Sequence, residues 1–360
     1  MKHLLLIIIL LVTSLGLQAQ TDPYDQMKAD YDSLRKEKKY EEALETAKQL
    51  NAWALENESD TSLRYAVSLR YVGVSFYYLQ EFDSAKMYYQ FSLEALKLQN
   101  REDHPYYAKC LKNLGILCKI MGNYKAAEPC YKQLLEIKKK TLGEDHIDYA
   151  SSLNDLGILY FYMGDYFAVE PFFKKALEIR RKSLGEDHPD YAKSIGNLGA
   201  LYYAKGDYKA TEPYYKQALD IFKKTLGDKH PNVATSLNNL GNLYSDLGDY
   251  KVAELNYKQS LELRKISLEE GHPDIAMSLH NLGVLNKQMG AYKVAEQYYK
   301  KSLEIRKNAL GEDHPDVALS LDNLGNLYSD LGDYNAAERY YKQSREMRMN
   351  TLGKDHPDYA

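Results

Sequence analysis

An all-α solenoid of about eight antiparallel helix pairs is predicted by three observations. A Leu-Gly pair returns every forty-two residues, each period holds two stretches of helical periodicity, and a connector of nearly fixed sequence separates the periods. Gly115, Gly157, Gly199, Gly241, Gly283 and Gly325 mark the register, with Gly73 one step earlier. Such an array grows by stacking one unit on the next, so its 360 residues need not divide into separate globular cores.

The chain opens with Met1-Lys2-His3, an unbroken apolar run from Leu4 to Val12, and a small polar stretch around Ala19. That is the layout of a secretory signal peptide over 1–20, cut near Ala19-Gln20 or else retained as an anchor, and it predicts an exported, periplasmic or secreted protein. The apolar run is short for a membrane span, so none is expected in the mature segment. Residues 21–65 read as a diverged capping helix pair, because Lys39-Tyr40 and Ala43 stand forty-two residues before Glu81-Phe82 and Ala85. Units then fall at 66–107, 108–149, 150–191, 192–233, 234–275, 276–317 and 318–359.

Within the unit beginning at Ala234, Leu237, Leu240, Gly241 and Tyr244 share one helical face. Gly248 ends that helix and Asp249 is placed to cap the next, whose inner face carries Tyr250, Ala253, Tyr257, Leu261 and Leu268. Gly241 opposite Ala253 predicts a close approach of two backbones. Connectors read Leu184-Gly185-Glu186-Asp187-His188-Pro189-Asp190 and Leu310-Gly311-Glu312-Asp313-His314-Pro315-Asp316. Gly stops one helix, Pro suits the first turn of the next, and the following Asp complements the helix dipole.

Seven of the nine histidines occupy these connectors, at 104, 146, 188, 230, 272, 314 and 356. Stacked helices lie roughly 10 Å apart, too far for one His per unit to share a metal ion, so capping is expected instead. Cys110, Cys118 and Cys130 are odd in number and lack CxxC spacing, which predicts buried apolar packing without metal or disulfide. A net charge of −4 and no Lys/Arg run beyond Lys138–Lys140 argue against a nucleic-acid partner.

Leu240-Gly241, Tyr244, Ala253, Tyr257 and Ser260 resemble the pattern of the tetratricopeptide repeat, in the forty-two-residue form of kinesin light chains and their bacterial look-alikes. The resemblance covers about residue 24 to the end. It departs where Leu237, Leu279 and Leu321 replace a common Trp, and where Lys223, Lys265 and Lys307 replace the Pro that closes a shorter repeat. Loss of that Pro lets the second helix run on; Pro129, Pro171 and Pro213 lie near its start. The resemblance implies a right-handed superhelix whose first helices line a concave groove. It also implies a non-catalytic scaffold that binds an extended peptide or partner protein.

No phosphate loop, nucleophile elbow, HExxH or dinucleotide fingerprint occurs, and the carboxylate pairs repeat with the period, so neither enzyme chemistry nor a cofactor is expected. By the resemblance, the position two before the unit glycine faces the groove; here it holds Asn113, Asp155, Asn197, Asn239, Asn281 and Asn323. An amide both donates and accepts, matching the main chain of a bound strand. Asn154, Asn238, Asn242 and Asn326 flank that row as further candidates. Lys109, Lys112 and Lys119 predict a basic end, Phe161, Tyr162 and Tyr203 an aromatic middle, and Asp246, Asp322 and Asp330 an acidic end. The last residues, His356-Pro357-Asp358-Tyr359-Ala360, read as the start of another first helix, so the array is expected to continue. By family resemblance, that continuation raises a sensory segment of a larger signalling or effector protein as the alternative, and a self-associating scaffold as a third reading.

Overall fold

The computed structural model describes residues 22–352. The expected leader, the seventh connector histidine and the chain's last turn lie outside the described residues. Those residues form sixteen helices and no strand, in eight consecutive pairs. In chain order they are α1 (Pro23–Lys36), α2 (Tyr40–Asn57), α3 (Leu63–Tyr78), α4 (Phe82–Leu98), α5 (Pro105–Ile120), α6 (Tyr124–Leu142), α7 (Ile147–Tyr162) and α8 (Tyr166–Leu184). There follow α9 (Pro189–Ala204), α10 (Tyr208–Leu226), α11 (Pro231–Asp246), α12 (Tyr250–Ser267), α13 (Pro273–Gln288), α14 (Tyr292–Leu310), α15 (Pro315–Asp330) and α16 (Tyr334–Leu352). They fall into two compact units, one ending at Asp165 with α1–α7 and one beginning at Tyr166 with α8–α16.

Many of the helices start at a side-chain cap. His104, His146, His188, His230, His272 and His314 are N-caps in extended conformation, and the Nδ1 of each accepts from the backbone N–H two residues on. This satisfies one of the orphan donors at a helix start. The second helices of several pairs are capped by Asn123, Asp207, Asp249 and Asp333, whose Oδ1 accepts from the third residue on. Glycine makes both turns possible: Gly206 and Gly227, at the two ends of α10's neighbourhood, have φ of 75° and 85°, which side chains disfavour.

The closeness of the two helices in a pair has a different basis from the one expected. Gly241 does not simply let two backbones meet over Ala253; its bare Cα receives the ring of Tyr257. A Cβ there would stand 2.5 Å from Cδ1 of that ring. The same ring-on-glycine packing joins Gly73 to Tyr89, Gly115 to Tyr131, Gly199 to Tyr215, Gly283 to Tyr299 and Gly325 to Tyr341. Six of the 34 tyrosines serve this packing, and the other half of the pair is closed by serine. Ser92, Ser260, Ser302 and Ser344 each donate across the pair to a first-helix carbonyl. All three cysteines are buried and free, and burial pushes the Cys110 and Cys130 thiols up to about 11.

Successive pairs are joined by polar contacts that the periodicity does not announce. Arg264 is buried, and its Nη1 donates to the Asp274 carbonyl and the Ser278 hydroxyl, both at 2.8 Å; Arg306 does the same to Asp316 and Ser320. Arg180 repeats the contact with Asp190 and Ser194. On another side, Tyr244 donates to Glu212, which also pairs with Lys216 at 2.6 Å. Tyr160, Tyr202 and Tyr328 make the same bond to Glu128, Glu170 and Glu296. At Glu170, hydrogen bonds from Lys174 and Lys205 hold the carboxyl down to about 2.

Candidate functional site

The first helices of each unit share a face crossed by two lines of side-chain contacts. One line links the residue three before the unit glycine to the residue two before the next glycine, forty-three positions on. In the first unit Lys112 pairs with Asp155 at 2.8 Å. In the second, the Asn281 amide donates to the Asn238 carbonyl oxygen at 2.9 Å. The other line links positions four and five after successive glycines. Here the Tyr203 hydroxyl donates to the Asp246 carboxylate, Ser245 donates to Gln288 at 3.0 Å, and Lys287 pairs with Asp330 at 2.9 Å. The first-unit counterpart is Lys119, poised 5.4 Å from the Tyr162 ring centroid.

The first line is broken where the residue three before the glycine changes. Gly196 has no side chain to offer, and Asn239 is half-buried with no hydrogen bond to its amide among the described residues. His280 is mostly buried, its Nδ1 has no partner, and burial together with Arg306 lowers its pKa to about 4. Its would-be partner Asn323 turns back to the Leu319 carbonyl of its own helix at 2.8 Å. In the first unit the break falls at Arg70 and Asn113, which make no hydrogen bond to each other or to any other described side chain. Both line a cleft of about 630 Å³ whose floor includes Tyr31, Tyr71 and Tyr89, with Lys28, Arg35 and Lys109 at its walls.

The tetratricopeptide repeat family profile matches residues 64–140, 113–167, 168–224, 196–266 and 274–350. The chain belongs to the tetratricopeptide repeat family. Among solved structures, its fold is similar to the apo form of RapI, at 18% identity and a TM-score of 0.61 over 80% of this chain and 98% of that one. It is also similar to a putative kinesin light chain with nearly identical tetratricopeptide-like repeats from Podosopora anserina, at 23% identity and a TM-score of 0.50, covering 57% and 98%. A third likeness is to BtubC from P. vanneervenii, at 20% identity and a TM-score of 0.47, covering 77% and 94%. No curated protein matches the sequence.

On this tetratricopeptide frame the candidate residues separate. Asn113 and Asn239 stand open on the first-helix face. Asp155, Asn281 and Asn238 are engaged in the line between helices, and Asn323 on its own helix. Asn154 and Asn197 are half-buried and engaged as well. Asn242 and Asn326 accept from the packing tyrosines Tyr257 and Tyr341, at 2.7 and 2.6 Å, which places them against the second helix of their own pair. The charges expected to complement a bound peptide are largely answered internally. Lys112 and Asp330 are ion-paired, Asp246 and Asp322 are bonded to Tyr203 and Arg348, and Lys109 lies 4.9 Å over the Tyr106 ring. Phe161 packs edge-on against the exposed Tyr162.

Arg70, Arg35 and the tyrosine floor were not singled out by the periodicity. The signal available was position: the residue three before the glycine reads Arg70, Lys112, Asn154, Gly196, Asn238, His280 and Asp322, a variable column inside an otherwise regular array. Among the described residues no group of three His, Cys, Asp or Glu side chains is placed to hold a metal ion, and no helix is long and apolar enough to cross a membrane.

Proposed function

We propose that the chain is a non-catalytic scaffold that holds an extended peptide, or the extended segment of a partner protein, on the first-helix face. The observation that supports this is the open amide of Asn239: half-buried on that face, it offers a donor and an acceptor where its neighbours Asn238 and Asn281 already satisfy one another. An amide so placed keeps a donor and an acceptor available to a ligand, and a strand's N–H and C=O match both. Such recognition reads main chain more than side chain. The test is to select peptides against the full chain from a random library and then replace single peptide bonds by N-methyl amides. One N-methyl group opposite Asn239 is expected to weaken binding at least tenfold, and Asn239→Ala to do the same, while Asn242→Ala does not. Equal binding by Asn239→Ala would exclude the proposal. The basic and apolar start of the sequence supports export as part of the same reading, and an intact mass that includes residues 1–19 in the exported fraction would contradict cleavage.

A further inference from the structure

Three arginines, Arg180, Arg264 and Arg306, are buried in this protein and alike, and a fourth, Arg70, is half-buried. Arg180, Arg264 and Arg306 each place Nη1 on a backbone carbonyl and a serine hydroxyl. Arg70 has neither. Its Nε is buried with no hydrogen bond, it makes no ion pair among the described residues, and its guanidinium lies 4.7 Å and 5.5 Å from the ring centroids of Tyr71 and Tyr106. Its Nε lacks the partner a buried donor requires, while the rest of the guanidinium lines a cleft where an oxyanion can reach it.

The surroundings say what it is matched to. Of the cations at the cleft, Lys28 is answered by Asp32 at 3.6 Å and Lys112 by Asp155 at 2.8 Å. Arg35, Arg70 and Lys109 have no carboxylate within ion-pair distance among the described residues. Beside Arg70 stands the unpartnered amide of Asn113, and around both the walls are aromatic, with Tyr77 and Tyr78 edge to face at 5.4 Å. A forked guanidinium binds planar oxyanions in pairs of hydrogen bonds, and tyrosine faces take flat apolar bodies. The volume of about 630 Å³ suits a small molecule.

We propose that the cleft lined by α1, α3 and α5 is a binding site for a small aromatic oxyanion, its carboxylate or phosphate on Arg70 and Asn113 and its ring among the tyrosines. This site is independent of the strand reading above, which concerns Asn239 in the other unit. The experiment is isothermal titration of the full chain with 2-naphthoate, 2-naphthyl phosphate and the uncharged 2-naphthalenemethanol. Saturable one-to-one binding of at least one anion is expected, weaker by tenfold or more for the alcohol and for the anion with Arg70→Gln. The stronger of the two anions identifies the head group. Lys109→Gln, an exposed substitution, is expected to weaken the anion several-fold and so to report on the site should Arg70→Gln fold poorly. Arg264→Gln, a residue of the other unit that does not line the cleft, is the control. Absence of saturable binding, equal binding of the alcohol, or indifference to both Arg70→Gln and Lys109→Gln overturns the proposal. So does binding of an acetylated, amidated Gly-Glu-Tyr-Glu-Gly peptide when neither naphthyl anion binds, since that assigns the cleft to a peptide side chain.

Discussion

A single methyl group separates two glycines three residues apart in α9. At Gly199 an added Cβ would lie 2.6 Å from Cδ1 of Tyr215, a buried ring with no room to retreat. At Gly196 the nearest atom is the Ala218 Cβ at 4.0 Å. Gly199→Ala is therefore expected to destabilise by about 1–3 kcal/mol or more through overpacking. Gly196→Ala is expected to stabilise by about 0.5–1 kcal/mol, because alanine loses less entropy in a helix. Opposite shifts in the thermal midpoints of the two variants check both. His280 supplies a second prediction, about pH. Its folded pKa, about 4, lies below the value near 6.5 of an exposed histidine, because burial and Arg306 outweigh the attraction of Asp316. Between those values the unfolded chain binds the proton and the folded chain does not. The stability present above pH 6.5 is thus lost as pH falls toward 4, by about 2 kcal/mol at pH 5. His280→Asn removes the titration and restores the residue type that Asn238 supplies to its own line. Its melting temperature should therefore fall less between pH 7 and pH 5 than that of the unmodified chain; an equal fall would place the proton elsewhere.

At the scale of the helix, what the sequence announces is whatever repeats. Gly248 at a helix end, Asp249 as a cap and Pro189 in a first turn were readable because each depends on residues a few positions away and recurs with the period. Connector histidines were readable as caps for the same reason. His272 accepts from the Asp274 N–H at 3.1 Å, so His272→Ala should cost about 1 kcal/mol, and His272→Asn, which keeps an acceptor at the cap, should recover most of it. Chemical denaturation with an unchanged slope would measure both. The contacts that decide which side chains remain open were not readable. Whether Asn281 meets a ligand or Asn238 depends on a residue forty-three positions earlier in another helix, and that column is the one the repeat does not conserve within itself. The ring of Tyr257 over Gly241 was half legible: both positions stood out as periodic, but their contact follows from the three-dimensional crossing and not from spacing in either helix.

At the scale of the molecule, the extensive packing within each unit runs from a helix to its neighbours in sequence, with lighter contacts between some successive first helices. Stability in such an array is a sum of local terms and nearest-neighbour interfaces, so damage should stay near its origin. Within the second unit, Gly283→Ala puts a Cβ 2.6 Å from the Tyr299 ring, straining the α13–α14 pair. That pair is tied onward by Arg306 to Asp316 and Ser320 at the start of α15, and backward by Arg264 to Asp274 and Ser278. Amide hydrogen exchange in this variant should accelerate most in α13 and α14 and partly in α12 and α15. Exchange in α9 and α10, whose core is built from Ile195, Tyr215 and Phe222, should keep its original rate. A uniform acceleration across α9–α16 would instead mean that these four helix pairs unfold as one cooperative body, with their polar joints strong enough to bind them into a single transition.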